Sequence, residues 1–240
     1  MATETERVDK LVDESSYVFK ATVMQLSASN EPAIRPGPEL IIAHVDEAFR
    51  ASPSVGVHGL RNRDVTILVT GGTPEVGDKL LIFARDWLYG AQIALREVAH
   101  HKATPQAEKD VVEAVERMPT RHLEARLGGA VLVIDGEVES IGPSPVPDGF
   151  TLRSPNYQMA VVRIAATLKG KRVEHVEVLF PTNVAPPWRT APRLKKDERA
   201  IFILRHETAI KAPKQYLTAL DPSDVQSPAM LNKIKSLLKE

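Results

Sequence analysis

The sequence repeats itself. Val18-Phe19-Lys20-Ala21-Thr22-Val23 has a counterpart in Val133-Ile134-Asp135-Gly136-Glu137-Val138, and Val45-Asp46-Glu47-Ala48-Phe49-Arg50 has one in Ile164-Ala165-Ala166-Thr167-Leu168-Lys169. Leu81-Ile82-Phe83-Ala84-Arg85 is matched by Ile201-Phe202-Ile203-Leu204-Arg205, with Phe83 set against Phe202. The order is kept and the offset stays at roughly 111–119 residues, the mark of a tandem duplication. A chain of 240 residues then divides into two domains, each long enough to bury its own core. The junction is expected at Met118-Pro119-Thr120, giving domains 1–119 and 120–240. So short a junction predicts halves that pack against each other.

Each half reads as helix, strands, helix. Val8, Leu11 and Val12 at helical spacing predict a first helix over 4–14, capped by Thr3 or Thr5. Its counterpart is 121–127, capped by Thr120 and stopped by Gly128-Gly129, with Leu123 and Leu127 in the places of Val8 and Val12. Short β-rich runs predict strands near 17–26, 39–50, 64–70, 79–85 and 91–99, and again near 131–141, 156–168, 173–181, 199–205 and 214–220. Closing helices start at Thr104-Pro105 and run to Met118, and at Ser227-Pro228 and run to Leu238; a hydroxyl N-cap before proline is a favoured helix start. Five short strands with irregular links predict a Greek-key barrel of the OB type. The fold class is therefore mainly β with flanking helices (α+β), a tandem duplication of a five-stranded OB-like barrel.

Charge separates the halves. The whole chain balances 31 Lys+Arg against 31 Asp+Glu, yet residues 1–120 hold 13 and 18, and residues 121–240 hold 18 and 13. Opposite balances suit halves that face different partners, or copies that stack head to tail, acidic face on basic. There is no cysteine, which removes disulfides, thiolate zinc sites and cysteine nucleophiles and fits a reducing compartment. No run approaches the length of a membrane span, and the acidic segment 1–10 lacks the apolar core of a signal peptide, so a cytoplasmic location is expected.

The search for chemistry returns little. Glu97, His100 and His101 are the strongest metal candidates, with His122 nearby, but adjacent strand residues face opposite ways and only one histidine can join Glu97 easily. No metal site and no cofactor is expected. No Gly-x-Ser-x-Gly elbow is present, and Gly71-Gly72-Thr73-Pro74-Glu75-Val76-Gly77 lacks the Lys-Ser/Thr of a phosphate-binding loop and reads as a turn. The chain is expected not to be an enzyme, with a hydrolase lacking any recognisable motif as the remaining catalytic reading.

Binding is better represented. Asn183-Val184-Ala185-Pro186-Pro187-Trp188-Arg189 sets Trp188 and Arg189 beside Pro186 and Pro187, a composition suited to a protein interface, and Trp87 is a second aromatic candidate. Trp188 folding back over its barrel is the competing reading. Two basic runs lie in the second half, one with Lys169, Lys171 and Arg172, the other with Lys195 and Lys196. They support single-stranded nucleic-acid binding as an alternative, against which stand overall neutrality and 5% aromatic content.

A family resemblance adds to this. Ser16-Tyr17-Val18-Phe19-Lys20-Ala21-Thr22-Val23, Val45-Asp46-Glu47-Ala48-Phe49 and Val76-Gly77-Asp78-Lys79-Leu80-Leu81-Ile82-Phe83-Ala84 resemble the bacterial netrin-like proteins, which are similar to the tissue inhibitors of metalloproteinases. Val161-Val162-Arg163-Ile164-Ala165-Ala166-Thr167-Leu168-Lys169-Gly170 is similar to the Lys-Gly-ended strand of that group. The resemblance implies an OB-type barrel that binds instead of catalysing. The inhibitors' N-terminal cysteine is missing, so protease inhibition is not implied. The expected function is a non-enzymatic protein–protein interaction or assembly module, with a protein partner or self-association.

Overall fold

The computed structural model describes residues 3–146, 156–183, 188–206 and 215–239, and the chain divides into two compact units, Met1–Pro119 and Thr120–Glu240. In the first unit, helix α1 (Glu4–Glu14) opens with a capping box. The Thr3 hydroxyl accepts from the Glu6 amide at 3.2 Å, and the Glu6 carboxylate accepts from the Thr3 amide at 2.7 Å, satisfying two donors that the first turn leaves over. Strands β1 (Tyr17–Leu26), β2 (Leu40–Arg50), β3 (Asp64–Leu68), β4 (Lys79–Tyr89) and β5 (Ile93–Lys102) close in the order β1-β2-β3-β5-β4, with a short helix α2 (Gly56–Leu60) between β2 and β3. The β3–β5 pair is parallel and the others are antiparallel.

The second unit repeats the plan with β6 (Leu132–Pro143), β7 (Tyr157–Lys169), β8 (His175–Pro181), β9 (Arg199–His206) and a two-residue β10 (Leu217–Thr218). The ring is β6-β7-β8-β10-β9, β8–β10 is again the parallel pair, and β11 (Val225–Gln226) extends the sheet beside β9. Helix α4 (Leu231–Leu237) follows a single 3-10 turn whose Ser227 hydroxyl accepts from the Ala229 amide at 3.3 Å. Two barrels of this strand order with flanking helices constitute a tandem OB-like fold.

Register confirms the duplication more sharply than residue identity does. Three shifts interrupt the β1–β2 ladder, at Val18/Phe19, Lys20/Ala21 and Val23/Gln25. Three interrupt β6–β7 at the matching places, Val133/Ile134, Asp135/Gly136 and Val138/Ser140. Each bulge adds twist and bends the strand around the barrel, so its position is a property of the fold. The pairing of Phe83 with Phe202 is corrected. Val18 pairs with Phe83 and Val133 with Ile203, so Ile203 holds the place of Phe83, and Phe202 holds that of Ile82. A slip of one residue exchanges the two faces of a strand. Phe202 and Ile82 point into their barrels, while Phe83 and Ile203 point outward under helices.

Each unit thus has two apolar layers. Inside the first barrel lie Phe19, Ile41, Ile67, Ile82 and Leu95; outside, Val18, Leu81 and Phe83 are covered by Val8 and Val12 of α1 and by Val111 and Ala114 of α3 (Pro105–Gly128). In the second unit Leu123 and Leu127 of the same α3, with Ile234 of α4, cover Val133, Ile201 and Ile203. The two helices expected around Pro119 are therefore one. Proline costs the helix a hydrogen bond, yet the apolar positions on both sides stay buried and hold the helix through it. Sequence reading also missed α2 and β11.

Candidate functional site at the mouth of the second barrel

The two barrels differ in the link between their second and third strands. In the first unit this link is residues 51–63 and folds into α2. Leu60 is fully buried in the barrel core, Ala51 and Val55 pack on the same core, and Ser52 shares a 2.7 Å hydrogen bond with the Tyr17 hydroxyl. The link plugs its end of the barrel. In the second unit the corresponding link is a tight turn, residues 170–174, and all five residues are exposed. Gly170 takes φ +94°, and a Cβ there would lie 2.5 Å from the Val131 carbonyl oxygen, so the turn presses directly on the start of β6.

Among the described residues this turn supplies no plug, and a hollow of about 470 Å3 lies at that end of the second barrel. Its apolar wall is Val131, Leu132, Val173, Val176 and Leu217. Val131 and Val173 are 49% and 42% exposed, among the most exposed large apolar residues described. Leu132 holds the place of Tyr17, whose hydroxyl anchors the plug in the first unit. The rim carries Lys171, His175, His206 and Glu177, and the His206 ring nitrogen lies 3.2 Å from the Tyr216 carbonyl oxygen. An apolar hollow whose rim carries one lysine, two histidines and one glutamate suits an aliphatic side chain with polar or acidic neighbours.

The interaction candidates fall in different places. Lys171 and Arg172 are exposed in the turn at the mouth. Lys169 donates to the carbonyls of Leu127 at 2.7 Å and Gly128 at 3.0 Å, and so caps the C-terminal end of α3. Lys195 and Lys196 are exposed in a turn bonded to Val138 in the middle of β6, on the order of 20 Å from the mouth by strand rise, so the two basic runs do not form one surface. Trp188 is half-buried and Arg189 exposed; Arg193 donates to the carbonyls of Pro181, Asn183 (2.7 Å) and Trp188 (3.0 Å), tying that segment down. Pro186 and Pro187 lie outside the described residues. Trp87 is half-buried at a register shift between β4 and β5.

The remaining candidate chemistry serves structure. Glu97 accepts from His100 Nδ1 and from the Thr70 amide at 2.6 Å, while His101 turns to the other face, edge-on to Phe83 at 5.9 Å. A bulge at Val98 brings Glu97 and His100 to one side, which strict alternation forbids. Among the described residues no group of three or more His, Cys, Asp or Glu could hold a metal ion. Glu31 is buried and ties the link between β1 and β2 to the β4–β5 turn. It accepts from the amides of Gln92 at 2.7 Å and Ala33 at 3.1 Å, which hold its carboxyl below the ordinary value.

The outer face of β6, β7 and β8, where OB barrels commonly take ligands, is of mixed charge. Arg163 meets Glu137 at 3.1 Å and Glu139 at 3.4 Å, and His175 meets Glu139 at 3.2 Å. No described aromatic side chain is more than partly exposed. Among the described residues no helix is long and apolar enough to cross a membrane.

No family model matches the chain, and no curated protein matches it. Among solved structures it is similar to a replication protein A heterotrimer bound to single-stranded DNA. The identity is 10% over 94% of this chain, the TM-score is 0.27, and the match spans 52% of the other chain, about half its length. A likeness of that strength carries no argument about function. The chain's OB-like character rests on its strand order, its parallel closing pair and its repeated bulges.

Proposed function

We propose that this chain is a non-catalytic protein-binding module whose second barrel takes the ligand while the first stays closed on its own helix. The observation that carries this reading is the buried link 51–63 of the first barrel against the exposed turn 170–174 of the second, with an apolar hollow beside that turn. The ligand is an exposed protein segment that presents an aliphatic side chain among acidic residues. Val131, Val173 and Leu217 receive the side chain, and Lys171, Arg172 and His206 face the acids. The netrin-like resemblance, which implies a binding barrel, agrees with this role.

Single-stranded nucleic acid is the competing ligand, since Lys171 and Arg172 also suit phosphate. The mixed charge of the β6–β8 face and the shortage of exposed stacking surfaces weigh against it.

Fluorescence anisotropy separates the two. A labelled peptide with one valine between acidic residues should bind the full chain, and Val173→Asp should weaken it by about tenfold or more. A labelled oligothymidylate should not bind at moderate salt. Tight, salt-sensitive oligonucleotide binding abolished by Lys171→Glu, with no peptide binding, would replace the proposed ligand.

A further inference from the structure

One surface turn is built on the same frame in both units and carries different side chains at its first two positions, Glu75-Val76 against Lys195-Lys196. In the first unit it is Glu75-Val76-Gly77-Asp78. The Gly77 amide donates to the Val23 carbonyl at 2.8 Å, the Val23 amide to the Asp78 carbonyl at 2.9 Å, and the Glu75 amide to the Asp78 carboxylate at 2.9 Å. In the second unit it is Lys195-Lys196-Asp197-Glu198. Asp197 donates to Val138 at 2.8 Å, Val138 to Glu198 at 3.0 Å, and the Lys195 amide to the Glu198 carboxylate at 2.9 Å. Even the left-handed backbone recurs, with φ +91° at Gly77 and +65° at Asp197. The frame is common, so the side chains at its tip are free to differ.

In the first unit the tip is Val76, 61% exposed and the most exposed large apolar residue described. Glu75 and Asp78 flank it. In the second unit the same position is Lys196. The tip is held firmly, because Glu97 fixes Thr70 and Gly71 at the base of its loop and the Val23 bonds fix its end. A rigid, acid-flanked aliphatic tip loses little entropy on docking.

The barrel ends diverge in the complementary sense. The first unit has the apolar tip Val76 with acidic neighbours and a plugged mouth; the second has Lys196 at the tip and, among the described residues, an apolar hollow with Lys171 on its rim. We infer that the occupant of the second unit's mouth is the Glu75–Asp78 tip of another copy of this chain. Val76 enters between Val131 and Val173, and Glu75 and Asp78 face Lys171, Arg172 and His206. The contact joins two different surfaces, so it is heterologous and leaves a free tip and a free mouth at the ends of every assembly that does not close into a ring. The opposite charge balances of the halves favour the same head-to-tail order. This inference rests on the reading of the mouth as the binding site.

Sedimentation of two single variants tests it. Val76→Asp keeps the mouth and loses the tip; Val173→Asp keeps the tip and loses the mouth. Both positions are exposed, so both variants should fold, which circular dichroism checks. The unmodified chain should sediment as species larger than a monomer that grow with concentration and shrink with added salt. Each variant alone should be a monomer. An equimolar mixture should form a dimer and stop there, because it offers one intact tip and one intact mouth. Oligomers of either variant that match the unmodified chain, or an unmodified chain that stays monomeric, would overturn the inference. A monomeric chain that still binds the acid-flanked valine peptide would leave the mouth as a binding site with another partner; a chain that does neither would remove both readings.

Discussion

At the scale of residues, a few buried groups decide how the links between strands behave. Glu31 is held ionised by backbone amides of Gln92 and Ala33. A carboxyl whose folded pKa is depressed stabilises the fold fully above its unfolded value, here the ordinary 4.5, and that contribution is lost as pH falls through the folded value. The protection factor of the Gln92 amide against exchange should therefore fall as pH drops below 4.5 and through the folded value, and Glu31→Gln should remove that pH dependence. Gly90 belongs to the same clamp, since a Cβ there would lie 2.6 Å from the Glu31 carboxylate. Gly90→Ala should thus raise exchange at Gln92 at neutral pH. Leu60 is the plug of the first barrel, and Leu60→Ala should destabilise the first unit by about 2–5 kcal/mol, read as a lower midpoint in urea, while peptide binding at the second unit's mouth is unchanged.

At the scale of elements, what the sequence disclosed depended on periodicity. The strands were legible because alternation and turn residues mark them, as in Val65-Thr66-Ile67 and in Val176 to Val178. Register was not: bulges at Lys20/Ala21 and Asp135/Gly136 shift the facing of everything beyond them, and apolar residues on both faces of β4 and β9 make a slip of one residue invisible to pattern. Phe83 and Phe202 therefore matched as letters while facing opposite layers. Pro119 misled for another reason. Its local rule ends a helix, but burial of Val111 and Ala114 before it and Leu123 and Leu127 after it outweighs the lost bond. Pro119→Ala should raise the unfolding free energy by about 1–3 kcal/mol, measured by urea titration of the full chain. Helix α2 escaped notice because Gly56-Val57-His58-Gly59-Leu60 has the composition of a loop, and only the burial of Leu60 makes it a helix.

At the scale of the molecule, duplication built two equal scaffolds and left their ends free to diverge. The interaction candidates drawn from composition, Trp188 and the basic runs, scatter: Lys169 caps a helix, Lys195 and Lys196 sit at a turn remote from the mouth, Lys171 rims it, and Arg172 is exposed in the same turn. The mouth itself has no motif. It lies where one repeat has a long buried link and the other a short exposed turn, and the signal that reveals it in the sequence is a difference in length, residues 51–63 against 170–174 between matched strands. Grafting residues 51–63 of the first repeat in place of 170–174 in the full chain tests the central claim most directly. With the second barrel plugged and its secondary structure intact by circular dichroism, anisotropy should show no binding of the acid-flanked valine peptide that the unmodified chain binds. Equal binding by the grafted and unmodified chains would contradict the claim that the open mouth is where this protein takes its ligand.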